Sequence, residues 1–449
     1  MAGTGKTTVM ETFCSLLNEK GLLGSSFFCS IKSKAPRRDV RVILPSIAKM
    51  LAGNHPRFRE NLLEVLTKCS DPLGIDLADQ YHTLIVGPAE AAFRKDEIIL
   101  IAIDALDECE DQEGTEMFLN AILDRKPNVP LRFFVTSRPE RRIREAFEQR
   151  CHFSLRLHDI EHHVVQADIA IFLNDQLGRV RKLRQYYGSS WPPSEIGIIA
   201  ERAGKLFIYA STILKYITDR GDPCERLRKM TTLRSPVAVA IENMDKLYTF
   251  ILSEAFTGID NEEASCIWSC LSILVSAQHP LSVSTYAKIL ETKAGLIRTA
   301  FESLHSVIIV PDADDQYISI CHASFPDYLA THAGMRPAHN ENATRCFRFM
   351  NSELRLGISG LTTSHRSNDD QPKALLPAHL KYTCTAWGYL VLQLIGPRSD
   401  LLVEDIQTQI EAFLRSKFLY WLEVLSAMGD VPYASRILYQ LSQVCQYWL

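Results

Sequence analysis

Two regimes of hydrophobic patterning follow one another along this chain, with the change near residue 157. Before it, short and dense apolar runs alternate with segments of helical period. Glu97-Ile98-Ile99-Leu100-Ile101-Ala102-Ile103-Asp104 is too short for a membrane span and apolar at nearly every position, the pattern of a strand buried on both faces. Leu131-Arg132-Phe133-Phe134-Val135 reads as a second strand, and Ser25 to Ile31 as a third. Helical period occupies Val9 to Asn18, with Lys20-Gly21 as its stop, and Thr115 to Leu123. Two amphipathic helices are expected at 40–52 and 57–68, split by Gly53-Asn54-His55-Pro56. Strands alternating with helices predict a parallel sheet.

Beyond His158 the strand signals fade. Helices are expected at Val164 to Gln176, Ser194 to Arg202 and Lys205 to Arg220, then a linker over 221–240, which carries Gly, Pro and Thr-Thr, and a helix at about Met244 to Phe256. From Ser265 to His332 three helical segments precede two short strands, Val307-Ile308-Ile309-Val310 and Tyr317 to His322, around Pro311-Asp312-Ala313-Asp314-Asp315. Three helices closed by a hairpin are the pattern of a winged helix. Residues 337–449 are again helical, without a repeat.

Composition narrows the class. With 449 residues and 46% apolar side chains, the chain has material for about three cored domains. A net charge of −4 gives no global attraction to nucleic acid or to an anionic membrane, and Lys32 to Arg38 reads as a solvated basic loop. No nucleic-acid or membrane partner is expected. Twelve cysteines without a Cys-x-x-Cys pair fit reduced thiols in a cytoplasmic setting. Cys266 and Cys270 share a helix face that reads as core, and His158, His162 and His163 read as a surface face, since no further ligand of fitting spacing lies nearby.

The candidate chemistry starts at the first residues. Gly3-Thr4-Gly5-Lys6-Thr7-Thr8 is the second half of the phosphate-binding signature Gly-x-x-x-x-Gly-Lys-Ser/Thr, in which backbone N–H groups cradle phosphates, the lysine reaches the β/γ-phosphates and the hydroxyl holds Mg²⁺. Counting back from Gly5 puts the first glycine one residue before Met1, so the loop and the strand that should lead into it are read as cut away. The strand at 97–104 runs into Asp104, Asp107 and Glu108, acids where a P-loop fold places its Mg²⁺-side carboxylate. The strand at 131–135 ends in Thr136-Ser137-Arg138-Pro139, again polar at its carboxyl end.

These segments, with Gly204-Lys205-Leu206-Phe207-Ile208-Tyr209-Ala210, Leu247-Tyr248, Cys321-His322-Ala323-Ser324-Phe325-Pro326-Asp327-Tyr328-Leu329 and Phe418-Leu419-Tyr420-Trp421-Leu422-Glu423, resemble the NACHT-type STAND NTPases. The resemblance is greatest to the fungal branch related to heterokaryon-incompatibility and nephrocystin-like proteins. It implies an α/β P-loop NTPase domain at 1–157, a parallel sheet lacking its first strand. A small all-α helical domain at 158–260, a winged-helix domain at 261–336 and a C-terminal helical region at 337–449 would follow. It also implies a signalling switch that ADP holds closed and ATP opens for self-association, with slow ATP hydrolysis, in non-self recognition or programmed cell death.

Carried over residue by residue, Gly3, Thr4, Gly5, Lys6, Thr7 and Thr8 would hold ATP or ADP, with Thr7 and Asp104 on Mg²⁺. Asp107 and Glu108 would orient the attacking water, Arg138 would sense the γ-phosphate, and His322 would reach the β-phosphate of ADP; the plainer reading of His322 is a satisfied polar residue at a strand end. Family members usually carry an effector region and repeat arrays, and neither is present. The missing strand is expected between the acid-tipped strand and the Thr-Ser-Arg strand, leaving two apolar edges unpaired. A non-catalytic interaction module, or a degenerate fragment without nucleotide binding, is the alternative to a weak ATPase.

Overall fold

The structure is a computed structural model that describes residues 5–30, 39–68, 74–109, 111–124, 128, 131–138, 140–150, 160, 162–219, 221–232, 240–332, 334–360, 375–395 and 404–445. Gly3, Thr4, the basic loop 32–38, Pro139 and His158 lie outside the described residues. The chain divides into two compact units, Met1–Ala240 and Ile241–Leu449. The first is an α/β unit and the second almost entirely helical. Among the described residues no helix is long and apolar enough to cross a membrane.

The α/β unit is built on three parallel strands, β1 (Leu23–Phe28), β2 (Ile99–Asp104) and β3 (Leu131–Val135), in the order β1-β2-β3. Ile99, Ile101 and Ile103 point to one face, where they pack with Ile43, Ile47 and Leu51 of the helix Ile43–Asn54 and with Phe118. Ala102 points to the other, against Met10 and Cys14 of the helix Lys6–Glu19. Period-two alternation therefore fills both faces of β2, as its unbroken apolar sequence requires. Gly24 permits the close approach of the helix Ile43–Asn54, since a Cβ there would meet Ile99 Cγ2 at 2.5 Å and Leu51 Cδ2 at 2.9 Å.

The gap expected beside the acid-tipped strand is corrected. β2 pairs directly with β3, Ile99 opposite Leu131 through Ile103 opposite Val135, and pairs with β1 along its other edge. No gap separates the acid-tipped strand from the Thr-Ser-Arg strand, and both edges of β2 are satisfied. The expected linker over 221–240 is corrected over its first half, because Pro223–Thr232 is a helix, while 233–239 lie outside the described residues. Pro223 supplies the φ of a first helical turn, the Asp222 carbonyl accepts from the Arg226 N–H at 3.0 Å, and Cys224, Leu227 and Met230 are buried at helical spacing. Gly-Asp-Pro, read as linker composition, is instead a helix start. The structure adds a helical passage, unassigned from sequence, at Leu77–Tyr81, His82–Val86 and Gly87–Ala92. Pro88 has no N–H for the Leu84 carbonyl, and the ladder widens there, with the Gly87 N–H donating to the His82 carbonyl five residues back.

In the second unit Asp260 caps the helix Asn261–Ser276 by accepting from the Glu262 and Glu263 N–H groups, and Ser282 caps Val283–Ile289. Ala294–Glu302 follows, then β4 (Ile308–Ile309) and β5 (Ser319–Ile320), an antiparallel pair shorter than expected. Arg298 donates to the Pro311 and Asp312 carbonyls and pairs with Asp314, so the intervening loop is held by a side chain rather than by a longer ladder. The helices from Met335 to Cys445 enclose an aromatic core of Phe347, Trp387, Phe413 and Trp421, with centroids 5.4–5.8 Å apart. Trp421 Nε1 donates to the Cys384 carbonyl at 2.8 Å, and Glu423 accepts from the Gly357 N–H and from the Ser359 N–H and hydroxyl.

Buried among these helices, His339 shares a 2.9 Å hydrogen bond through Nδ1 with Ser272, while its Nε2 has no partner among the described residues. Burial pushes its pKa down to about 4. The unfolded chain therefore binds a proton that the folded chain refuses, and stability is lost as pH falls from about 6.5 toward 4. Urea unfolding followed by tryptophan fluorescence is expected to lose about 2–3 kcal/mol to this group between pH 7.5 and 4.5. His339→Asn should lose correspondingly less over the same range.

Candidate functional site

Helix Lys6–Glu19 starts directly at Gly5, whose φ of 84° is left-handed and cheap only for glycine. Gly5 makes no side-chain cap for this helix, and the Thr7 hydroxyl of its first turn reaches Asp104 at the carboxyl end of β2. Lys6 and Thr7 open the helix, and the Thr8 carbonyl accepts from the Thr12 hydroxyl at 2.9 Å.

Asp104, the last residue of β2, is 2% exposed. Its two oxygens are engaged from both sides: Thr7 Oγ1 donates to Oδ2 at 2.7 Å, and Thr136 Oγ1 donates to Oδ1 at 2.5 Å. Thr136 Oγ1 in turn accepts the Ala105 N–H at 3.1 Å, and the Thr136 carbonyl accepts the Leu106 N–H at 3.0 Å. Ala105 has φ 52°, a left-handed conformation that alanine adopts only at a cost. That reversal begins the tight turn Leu106–Glu108, which carries Asp107 and Glu108 back over the strand ends.

Asp107, with its side chain 5% exposed, is bound to Arg138 twice: the Arg138 N–H donates to Oδ1 at 2.8 Å, and Nε lies 3.1 Å from Oδ2. Lys6 stands in the same field. Burial lowers its pKa, the Arg138 charge adds to the lowering, and Asp107, Asp104 and Glu108 oppose it. Five residues singled out from sequence, Lys6, Asp104, Asp107, Glu108 and Arg138, are thus electrostatically coupled, and Thr7 joins them through Asp104.

His322 lies in the second unit. The Ser324 N–H donates to its Nδ1 at 3.1 Å, which makes Nδ1 an acceptor and places the ring proton of the neutral side chain on Nε2. Ser324 Oγ lies 2.7 Å from the same nitrogen and 2.8 Å from the Tyr248 hydroxyl. This network accounts for the Leu247-Tyr248 and His-x-Ser segments as partners of one another.

Thr136 was missing from the sequence-derived site, although it binds the central carboxylate and the turn behind it. The available signal was its place at the carboxyl end of a strand adjacent to the acid-tipped one. Among the described residues no group of three or more His, Cys, Asp or Glu is placed to hold a metal. A hard cation at Thr7 and Asp104 would therefore need ligand oxygens and water to complete its shell.

The parallel sheet, with polar groups gathered at the carboxyl ends of its strands, defines an α/β unit joined to a helical region. The family model described as Nephrocystin 3, N-terminal matches residues 1–138, so the part of the chain that holds Lys6, Asp104 and Arg138 is similar to that domain. No curated protein matches the chain.

Thr136→Val keeps the side-chain shape and removes both the donor to Asp104 and the acceptor for Ala105 N–H. A loss of about 1–3 kcal/mol in urea unfolding is expected, since a buried carboxylate loses one of its two hydroxyl donors.

Proposed function

We propose that the α/β unit binds an adenine nucleotide with Mg²⁺ in the manner of a P-loop NTPase, and that the chain is an ADP/ATP-dependent switch of the NACHT type with slow hydrolysis. The observation that carries this reading is the Thr7–Asp104–Thr136 linkage beside Lys6, because it joins a helix N-terminus, a carboxylate and a hydroxyl at the ends of two adjacent parallel strands. The donor set suits the ligand. Gly5 leaves the first N–H groups of a helix without a side-chain cap, and Lys6 adds a cation whose burial an incoming phosphate would compensate.

When bound, Mg²⁺ supplies positive charge to β/γ-phosphate oxygens. Thr7 and Asp104 would hold it, Asp104 through water. Lys6 neutralises phosphate charge. Asp107 already fixes Arg138 at two points, so we assign it the positioning of that guanidinium, and Glu108 the orientation of the attacking water. A winged-helix reading of residues 261–336, self-association on ATP binding, a cytoplasmic setting and a role in fungal non-self recognition belong to the same proposal. They rest on the resemblance of the motifs. His322 enters on that ground too, as a donor to the ADP β-phosphate.

Calorimetry on the purified chain tests the site. Lys6→Ala is expected to weaken ADP binding at least about tenfold, from the loss of a charge-assisted contact. Glu108→Gln should slow single-turnover ATP hydrolysis by about a hundredfold with binding retained. His322→Leu should weaken ADP binding and raise the oligomeric fraction with ATP. Equal ADP affinity in the Lys6→Ala and unaltered chains removes the nucleotide reading and leaves the interaction module.

A further inference from the structure

Beneath the acid-bearing turn two thiols meet. Cys29 directly follows β1, and its N–H donates to the Asp104 carbonyl at 3.0 Å, which fixes it beside the end of β2. Cys109 directly follows Glu108 and closes the turn by donating its N–H to the Leu106 carbonyl. The two sulfurs are 3.7 Å apart and join positions 80 residues apart in sequence. Both side chains sit in the main core cluster, Cys29 at 4% and Cys109 at 7% exposure. A disulfide places sulfurs at about 2.05 Å, so the bond needs an approach of about 1.6 Å between side chains already in contact.

We propose that Cys29 and Cys109 are a reversible disulfide site, closed by a low-molecular-weight disulfide, and that the closed bond holds the Asp107–Glu108 turn away from its working position. Either thiol can carry the shared hydrogen. Cys109, at 7% residue exposure against 4% for Cys29, is the first nucleophile. Its thiolate attacks one sulfur of the reagent RS–SR, forming Cys109–S–S–R and releasing one thiolate, which takes up a proton. Cys29 then gives up its proton and attacks Cys109 Sγ, expelling the second RS⁻. Two protein thiols and one RS–SR become one protein disulfide and two RSH, so atoms and electrons balance.

The consequence follows from adjacency. Cys109 shares a peptide bond with Glu108, in a turn held by the Ala105 and Leu106 N–H groups to Thr136, by the Glu108 N–H to the Ala105 carbonyl and by the two bonds of Asp107 to Arg138. Drawing Cys109 toward Cys29 carries Glu108 with it. A displacement of about 1 Å in a positioning group is enough to cost a hundredfold in rate. The effect on hydrolysis rests on the nucleotide reading above; formation of the bond does not.

The full chain, reduced and then equilibrated with oxidised glutathione, is alkylated and digested without reductant. The expected product is a Cys29–Cys109 linked peptide in excess over links to any other of the twelve cysteines. Its thermal midpoint should rise and its ATP turnover should fall at least about tenfold. Dithiothreitol should reverse both changes, and Cys29→Ser and Cys29→Ala chains should show neither. Glutathione adducts or scrambled links without the Cys29–Cys109 peptide overturn the site. Equal inhibition of the Cys29→Ser chain overturns its control of the turn. If the reduced chain hydrolyses no ATP, the nucleotide reading has failed, and the linked peptide with its shifted midpoint still decides on the cysteine pair.

Discussion

Burying a carboxylate is costly unless its oxygens accept hydrogen bonds, and Asp104 is 2% exposed at the end of the central strand. Its satisfaction draws on two other elements at once, the first turn of helix Lys6–Glu19 through Thr7 and the end of β3 through Thr136. Those bonds set the register in which helix and strands meet. They also decide where the next turn goes, because the hydroxyl that serves Asp104 holds the Ala105 N–H as well. The left-handed backbone at Ala105, the return of Asp107 to Arg138 and the meeting of Cys109 with Cys29 all lie downstream of that one arrangement.

The helix start at Gly5 has a similar logic. A capping side chain would satisfy the first N–H groups locally and close the helix end to ligands, whereas glycine in a left-handed conformation turns the chain without occupying the space. Structural economy and the candidate chemistry therefore make the same demand on residues 5–8. In the second unit, segments that look like motifs also have packing reasons: Trp421 lies in the aromatic core, and Glu423 closes the loop at Gly357 and Ser359. Their presence in the sequence is accounted for by stability alone.

Much of this was legible beforehand where a single period or a compact motif carried the signal. The apolar run of β2, its acid tip, the strand at Leu131–Val135 and the long helices after residue 162 all announce themselves locally. The sheet order did not, because pairing depends on contacts between segments far apart in sequence, and the direct pairing of β2 with β3 corrects the gap expected there. Pro223 misled because proline and glycine mark helix starts as readily as linkers. His82–Val86 was missed since a widened turn breaks the helical period. Thr136 was visible as a polar residue at a strand end, but its bond to Asp104 and the meeting of cysteines 80 residues apart depend on pairing between distant segments.

The central claim is that helix Lys6–Glu19, the Asp104 turn and the Thr136–Arg138 strand end act as one ligand-binding surface. Amide hydrogen exchange of the full chain with and without ADP and Mg²⁺ addresses it directly. If the claim holds, protection rises together in peptides covering residues 5–10, 104–109 and 136–138, and Asp104→Ala abolishes the rise in all three. Unchanged exchange in these segments at saturating ADP, or protection confined to one of them, would contradict it.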